Sequence, residues 1–442
     1  MRINVDAVPD SPDFPDSVDV IVIGGGIIGT SVTYELAKRG VSVALFEKGV
    51  IGGEQSGRNW GWVRQQNRDI YELPVAIRSL QRWEALGAET GRDLGFRRTG
   101  ILYGTTSEAD LAKWEAWGEK ARFAGFESHL LSAKEAGERI AGETAWKGGV
   151  WSPTDGRAEP SKAAPALALG AQKLGAYVHQ RCAVRGLDIA AGKVAGVWTE
   201  HGRVKAGRVI CCGGAWSSRF CKRYGIELPS ANILGTAFKT TQAPEVIKGC
   251  LSMPDLAIRR RLDGSYTVAV PGRGTLDLAP QNLRHATRFY PMYRSKIAKK
   301  LKFRLNRAFF SGPEASGSWK TDGISPFEKS RVLDPAPDST LLNDAIKRLE
   351  REFPALKGIA IDYAWAGWID TTPDLVPVID EIQAIPGLII ASGFSGHGFG
   401  IGPGAGELCA QLVTHEKLYT DITPYSLSRF ARGKAIREPQ MM

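Results

Sequence analysis

Residues 18–48, VDVIVIGGGIIGTSVTYELAKRGVSVALFEK, constrain the fold more than any other stretch of the chain. An apolar run over 20–23 ends in Gly24-Gly25-Gly26-Ile27-Ile28-Gly29. A helical pattern continues to Arg39, Gly40 marks a turn, and a second apolar run over 41–46 ends on Glu47 and Lys48. The order is strand, glycine loop, helix, strand, with an acid at the end of the second strand. Gly24 permits the tight turn, Gly26 lets backbone approach a pyrophosphate, and Gly29 lets the helix pack close to the strand. The helix N-terminus at Ile27 and Ile28 offers free N–H groups and a positive dipole end to phosphates. Glu47 can accept hydrogen bonds from a ribose. The pattern predicts a site for an ADP-containing dinucleotide. The plainer alternative is a glycine turn between buried strands.

A second glycine cluster, Gly52-Gly53-Glu54-Gln55-Ser56-Gly57-Arg58-Asn59, follows the second strand directly. FAD is a long ligand that needs contacts beyond the first βαβ unit. Gln55, Ser56, Arg58 and Asn59 are polar groups suited to its second phosphate and ribityl chain, whereas a nicotinamide enzyme has less use for them. A solvated loop is the alternative. An apolar run over 208–212 ends in Gly213-Gly214-Ala215-Trp216, and strand followed by Gly-Gly is where a doubly wound sheet meets its ligand. Gly213, Gly214 and Trp216 join the expected cofactor contacts, as does Val184.

With 442 residues, 43% of them apolar, the chain has material for two domains with full cores. The expected fold is α/β. A discontinuous Rossmann-like FAD-binding domain takes 17–85, 150–230 and 360–430. An α+β substrate domain with a mainly antiparallel sheet takes 86–149 and 231–359, and 1–16 form a flexible tail. The first nineteen residues are rich in Asp and Pro, so neither a signal peptide nor an N-terminal membrane helix is expected. No run approaches the roughly 20 apolar residues that span a bilayer. Six cysteines without metal spacing predict buried free thiols, no metal site and a reducing, cytoplasmic setting.

The net charge of +10 is concentrated. Arg284, Arg288, Arg294, Lys296, Lys299, Lys300, Lys302, Arg304 and Arg307 fall within 282–310 without an acid, interleaved with Phe289, Tyr290, Tyr293, Phe303, Phe309 and Phe310. The segment reads as a solvated face, as a dock for an anionic membrane, as a lure for an anionic substrate, or as a nucleic-acid grip. No recognisable nucleic-acid module accompanies it, so nucleic acid is not an expected partner.

Near the C-terminus a buried strand over 388–391 opens onto Ser392-Gly393-Phe394-Ser395-Gly396-His397-Gly398-Phe399-Gly400, and a helix is predicted over 404–415. A reduced flavin carries negative charge at N1 and its C2 oxygen, and a glycine loop feeding a helix start stabilises such charge. Gly393, Gly396, His397, Gly398, Phe399 and Gly400 are the expected contacts. His397 reads either as a flavin or substrate contact or as a loop histidine.

These motifs, with Ala183-Val184-Arg185-Gly186 and Thr372-Pro373-Asp374-Leu375-Val376-Pro377, resemble the D-amino-acid-oxidase-like flavoproteins, which include glycine and sarcosine oxidases. Gly53-Glu54-Gln55-Ser56-Gly57-Arg58, Asp263-Gly264-Ser265-Tyr266 and Thr423-Pro424-Tyr425-Ser426 are similar to stretches of bacterial membrane-associated L-amino acid deaminases. The Ser56-Gly57-Arg58-Asn59 run is also similar to γ-glutamylputrescine oxidases. The resemblance implies oxidation of a C–N bond by hydride transfer to flavin N5. The imine then hydrolyses to an oxo acid and ammonia, and oxygen or a quinone reoxidises the flavin. It implies that Arg259, by register from Asp263-Gly264, holds a substrate carboxylate and that Trp365 walls the pocket. Sarcosine oxidases carry a flavin-linking cysteine where this chain has Gly367, so FAD is expected to be noncovalent. Ile369 and Asp370 stand where many relatives carry a substrate arginine. The deaminases' membrane-facing insertion falls near 275–318, basic here, which raises peripheral contact with the inner membrane face. N-substituted amino acids, D-amino acids and polyamine derivatives remain as substrates. A tRNA-modifying flavoprotein is the alternative of another class.

Overall fold

The computed structural model describes residues 5–294 and 300–441. Lys296 and Lys299 of the basic segment lie outside the described residues. Strands Val20–Ile23, Val43–Phe46, Tyr177–His179, Arg208–Cys211, Val378–Glu381 and Leu388–Ser392 form one six-stranded sheet. Val20–Ile23 sits centrally, pairing in parallel with Val43–Phe46 and Arg208–Cys211, and Leu388–Ser392 pairs in parallel beyond the latter. Both faces of these strands are covered, which is why they read as unbroken apolar runs.

Helices Ile27–Lys38, Leu73–Thr90, Pro160–Lys173 and Gly398–Thr414 bury one face around Val20, Val22, Val43 and Leu45. A three-stranded antiparallel sheet, Val184–Ala190, Lys193–Thr199 and Gly202–Lys205, covers the other around Ile21, Phe46 and Val209. The last helix begins at Gly398, six residues before the expected 404. Its first turn is glycine-rich and reads as loop, but tertiary packing overrides that weak propensity.

A second sheet of ten strands is mainly antiparallel. Ile361–Thr371, assigned from sequence to the nucleotide-binding segment 360–430, pairs along its length with Ala231–Thr240 in this sheet. Gly148–Ser152, which straddles the expected boundary at 150, pairs with Ile101–Thr105 there as well. Strand pairing is a long-range choice that composition at the boundary does not encode.

One face of the large sheet carries Phe238, Ile258 and Val268 and is covered by helices Ala133–Ile140 and Ser339–Glu352. Register puts Ala237 opposite Ala269 and Trp365, Ala257 opposite Ala269, and Arg259 opposite Thr267. These residues alternate with the covered set and so share the other face, which Trp60 and Tyr363 join at Trp365.

Candidate functional site

The cleft begins where Val20–Ile23 ends. Gly24 sits at φ +104°, and a Cβ there would lie 2.6 Å from the Cys212 carbonyl oxygen. A Cβ on Gly29 would strike the Gly24 carbonyl oxygen, so helix and loop close together only without side chains. The resulting cleft runs from Glu47 past the fingerprint loop and residues 52–56 to Trp368, Asp370 and Phe399.

Glu47 is half-buried at one end. Its two carboxylate oxygens accept the Gly25 and Gly49 N–H groups, both at 2.6 Å. Burial pushes this carboxyl above the usual range, against the pull of Lys48. Val184, Trp216 and Phe220 form an apolar slot beside it. Lys48 Nζ lies 5.1 Å over the Trp216 ring and also pairs with Glu54 at 2.5 Å.

At the centre of the cleft the Ser56 hydroxyl accepts the Ile27 N–H at 2.8 Å, next to Gly26 and Asn59. The buried Gln55 Oε1 and Trp216 Nε1 have no protein partner. Gly213, Gly214 and Ile28 complete the wall. A side-chain-free loop, a capped helix start and orphaned polar atoms in one long cleft fit an extended dinucleotide such as FAD.

The far end holds the C-terminal turn. Gly396, Gly398 and Phe399 line the cleft, whereas Gly393, His397 and Gly400 stand just behind it. The first N–H groups of Gly398–Thr414 have no intrahelical acceptor and are available to an anion. His397, the residue before that helix, is buried, and its Nδ1 lies 2.9 Å from the buried Glu72 carboxylate. Burial drives both toward their neutral forms: His397 falls well below its ordinary range and Glu72 rises to about 7.

Two expected contacts are engaged elsewhere. Arg58 does not line the cleft. Its buried guanidinium donates to Asp334 at 2.8 Å and to the Ala366 carbonyl at 2.9 Å, tying the second glycine loop to the large sheet. Arg259 is fully buried and pairs with Glu159, Nη1 to Oε1 at 3.0 Å and Nη2 to Oε2 at 3.3 Å. A carboxylate already fills the fork expected to hold substrate. Trp365 is buried on the inner face, its indole donating to the Arg58 carbonyl at 2.7 Å.

Three residues escaped sequence reasoning. Asp370 lines the cleft, accepts the Gly393 N–H at 2.7 Å, and burial lifts its carboxyl to about 6. Arg64 lies over Trp62 and Tyr103 and donates to the Tyr103 hydroxyl. Among the described residues no carboxylate is within ion-pair reach of it. The fully buried Arg68 adds a second cation beside Glu72, with burial lowering it to about 9. The repeated Arg and Gln in 64–68 were the available signal, but they carry no motif spacing.

The chain belongs to the DAO family of FAD dependent oxidoreductases, whose model matches residues 19–412. It is similar to the solved L-amino acid deaminase from Proteus myxofaciens in complex with anthranilate, at 29% identity over 98% of both chains with a TM-score of 0.93. Glycine oxidase of Geobacillus kaustophilus is 26% identical over 93% of this chain and 97% of its own. Mitochondrial dimethylglycine dehydrogenase of Mus musculus is 24% identical over 95% of this chain but 45% of its own length. The chain therefore spans about half the length of the curated relatives it matches first. FAD is the cofactor of the family, and the cleft fits it. Among the described residues no helix is long and apolar enough to cross a membrane.

Proposed function

We propose that this chain oxidises the C–N bond of an amino acid or N-substituted amino acid with noncovalently bound FAD. One observation carries the reading. The cofactor loop abuts a sheet face of small side chains, Ala237, Ala257 and Ala269, with Trp60 and Trp365 beside them. Gly367 belongs to the same strand as Trp365, and a Cβ there would strike Gln55 Oε1, so this face lies directly against the cofactor loop. The deaminase and oxidase likenesses support the substrate class.

FAD supplies the two-electron acceptor. The protein's part is orientation. Arg64, a half-buried guanidinium without an acidic partner, suits a substrate carboxylate. Trp365 and Trp60 wall the reacting carbon. No side-chain base is needed when the neutral amine gives up hydride, and the imine hydrolyses in water. Anaerobic addition of amino acids and N-methyl amino acids tests this. Loss of the flavin band near about 450 nm with at least one of them is expected, and bleaching by none sinks the proposal.

We also propose a cytoplasmic protein that touches an anionic membrane and passes electrons to quinone rather than oxygen. Phe303, Leu305 and Phe310 are 52%, 71% and 82% exposed beside Arg307 and Lys300. Arg304 is drawn off by Asp277 and Lys302 by Asp338, so fewer cations are free than the sequence count implies. Co-sedimentation with anionic liposomes at low salt is expected. Protein left in the supernatant means a merely charged surface.

A further inference from the structure

Beside the proposed substrate face lies a group of charges that the reading so far leaves unexplained. Arg259 and Arg261 come from one strand and its end, Arg157 from the strand paired with Trp62–Val63, and Glu159 from the start of a helix. Glu159 pairs with Arg259 at 3.0 Å and Arg261 at 3.3 Å, and stands 4.0 Å from Arg157. Among the described residues, the only other acid within ion-pair reach, Asp263, is 4.0 Å from Arg261 Nε and is already held by Lys239 at 3.1 Å. Three guanidinium groups thus share one buried carboxylate.

The hydrogen-bond inventory agrees. Arg157 Nε and Nη1, Arg259 Nε and Arg261 Nε are buried donors without an acceptor. Arg259 and Arg157 are 0% and 8% exposed, so solvent does not satisfy them. Burial, reinforced by the neighbouring Arg259, lowers both Arg157 and Arg261. Uncompensated buried cations of this kind call for an anion.

The cluster faces the proposed substrate space. Arg259 and Thr267 share the face of Ala257, Ala269 and Trp365, and Arg261 donates to Thr267 Oγ1 at 3.0 Å. A Cβ on Gly61 would touch the Arg259 guanidinium at 2.7 Å, so the segment bearing Trp60 and Trp62 passes directly over it. Arg64 follows three residues on, and Arg64, Arg157 and Arg259 all act electrostatically on the buried Cys250 thiol, so the two cationic groups are neighbours. Two neighbouring cationic groups suit a molecule with two negative groups.

We propose that Arg157, Arg259 and Arg261 form a subsite for a second anionic group, so that the substrate is an amino acid or N-substituted amino acid bearing two carboxylates. The inference rests on the amino-acid reading above. The α-carboxylate goes to Arg64 and the distal one to the cluster, where it accepts the orphaned N–H groups and shares the arginines with Glu159.

The test uses FAD-loaded full chain and two inert probes, glutarate and valerate, followed by their perturbation of the flavin absorbance spectrum. Charge-assisted hydrogen bonds predict about ten- to a hundredfold tighter binding of glutarate. Arg261→Leu, at the edge of the cluster, is expected to bring the ratio close to one. In anaerobic bleaching, L-glutamate and L-2-aminoadipate are expected to react faster than L-norvaline and L-norleucine. Equal binding of glutarate and valerate by the wild type overturns the subsite whether or not the variant folds. If norvaline then bleaches the flavin, the amino-acid reading survives that loss. If no amino acid of either set and no N-methyl amino acid bleaches it, the underlying reading falls as well.

Discussion

The two halves of the site hold their ligands by opposite means. Backbone shapes the cofactor cleft: glycines stand where side chains would intrude, and the first N–H groups of Gly398–Thr414 have no intrahelical acceptor. The proposed substrate face is built from side chains: arginines and tryptophans from segments far apart in sequence, with one glutamate shared among the arginines. Backbone binding fails when something is added. Side-chain binding fails when something is removed. The first half should therefore be sensitive to a methyl group and tolerant of lost hydroxyls, and the second should be sensitive to single-charge deletions.

Arg259→Ala is the harshest challenge to that contrast. It leaves Glu159 buried beside fewer cations, and about 3–5 kcal/mol of stability should go, measured as the urea midpoint. Adding Glu159→Met should recover none of it, because Arg157 and Arg261 would then lie buried without the carboxylate they share. A single variant as stable as the wild type would show the arginine wall to be dispensable.

On the cofactor side, Gly29→Ala adds one methyl against the Gly24 carbonyl oxygen. Overpacking should cost about 1–3 kcal/mol and strip FAD from the purified protein, read as the ratio of visible to ultraviolet absorbance. Full FAD occupancy would mean that the loop yields more easily than its geometry indicates.

Asp370 lines the cofactor cleft, and its ionisation tests that half from another side. Its carboxyl titrates at about 6 in the fold against 3.8 when unfolded. Between those values the native state holds the extra proton, so stability is fully present below about 4 and declines as pH rises to about 6. For the FAD-free protein that window should contribute about 1–3 kcal/mol. Asp370→Asn should flatten the denaturation midpoint across it, and an unchanged slope would assign the decline to other groups.

The smallest effect is expected from Ser56→Ala. The hydroxyl accepts one N–H, from Ile27, and a neutral hydrogen bond is worth about 0.5–1.5 kcal/mol. FAD affinity should fall by no more than about tenfold. A complete loss would make the cleft depend on side chains after all.

The same contrast explains what the sequence disclosed. The fingerprint from Gly24 to Glu47 is contiguous, and each glycine answers a local steric demand, so the dinucleotide site and its α/β sheet were readable. Gly213, Gly214, Gly396, Gly398 and Phe399 fall at the cleft for the same reason, whereas Gly393, His397 and Gly400 stand behind it. Arg259 was identified by register alone, and register reports neither burial nor the arrival of Glu159 from a distant helix. Arg58 looked like a phosphate ligand because Asp334, its partner, lies far along the chain. Arg64 and Asp370 acquire meaning only when Tyr103 and Gly393 are brought beside them by separate sheets.

The order of strands in the six-stranded sheet has a consequence for how the protein is made. Its central strand ends at Ile23, yet Leu388–Ser392, which completes the parallel core beyond Arg208–Cys211, leaves the ribosome several hundred residues later. At about 5–20 residues per second the fingerprint waits tens of seconds for that strand and for the helix behind it. Throughout that interval its apolar strand and open glycine loop have no finished site to offer. Cofactor capture thus waits until residue 388 and the helix after it have emerged, and a chain truncated before residue 388 would carry every fingerprint residue and still be colourless.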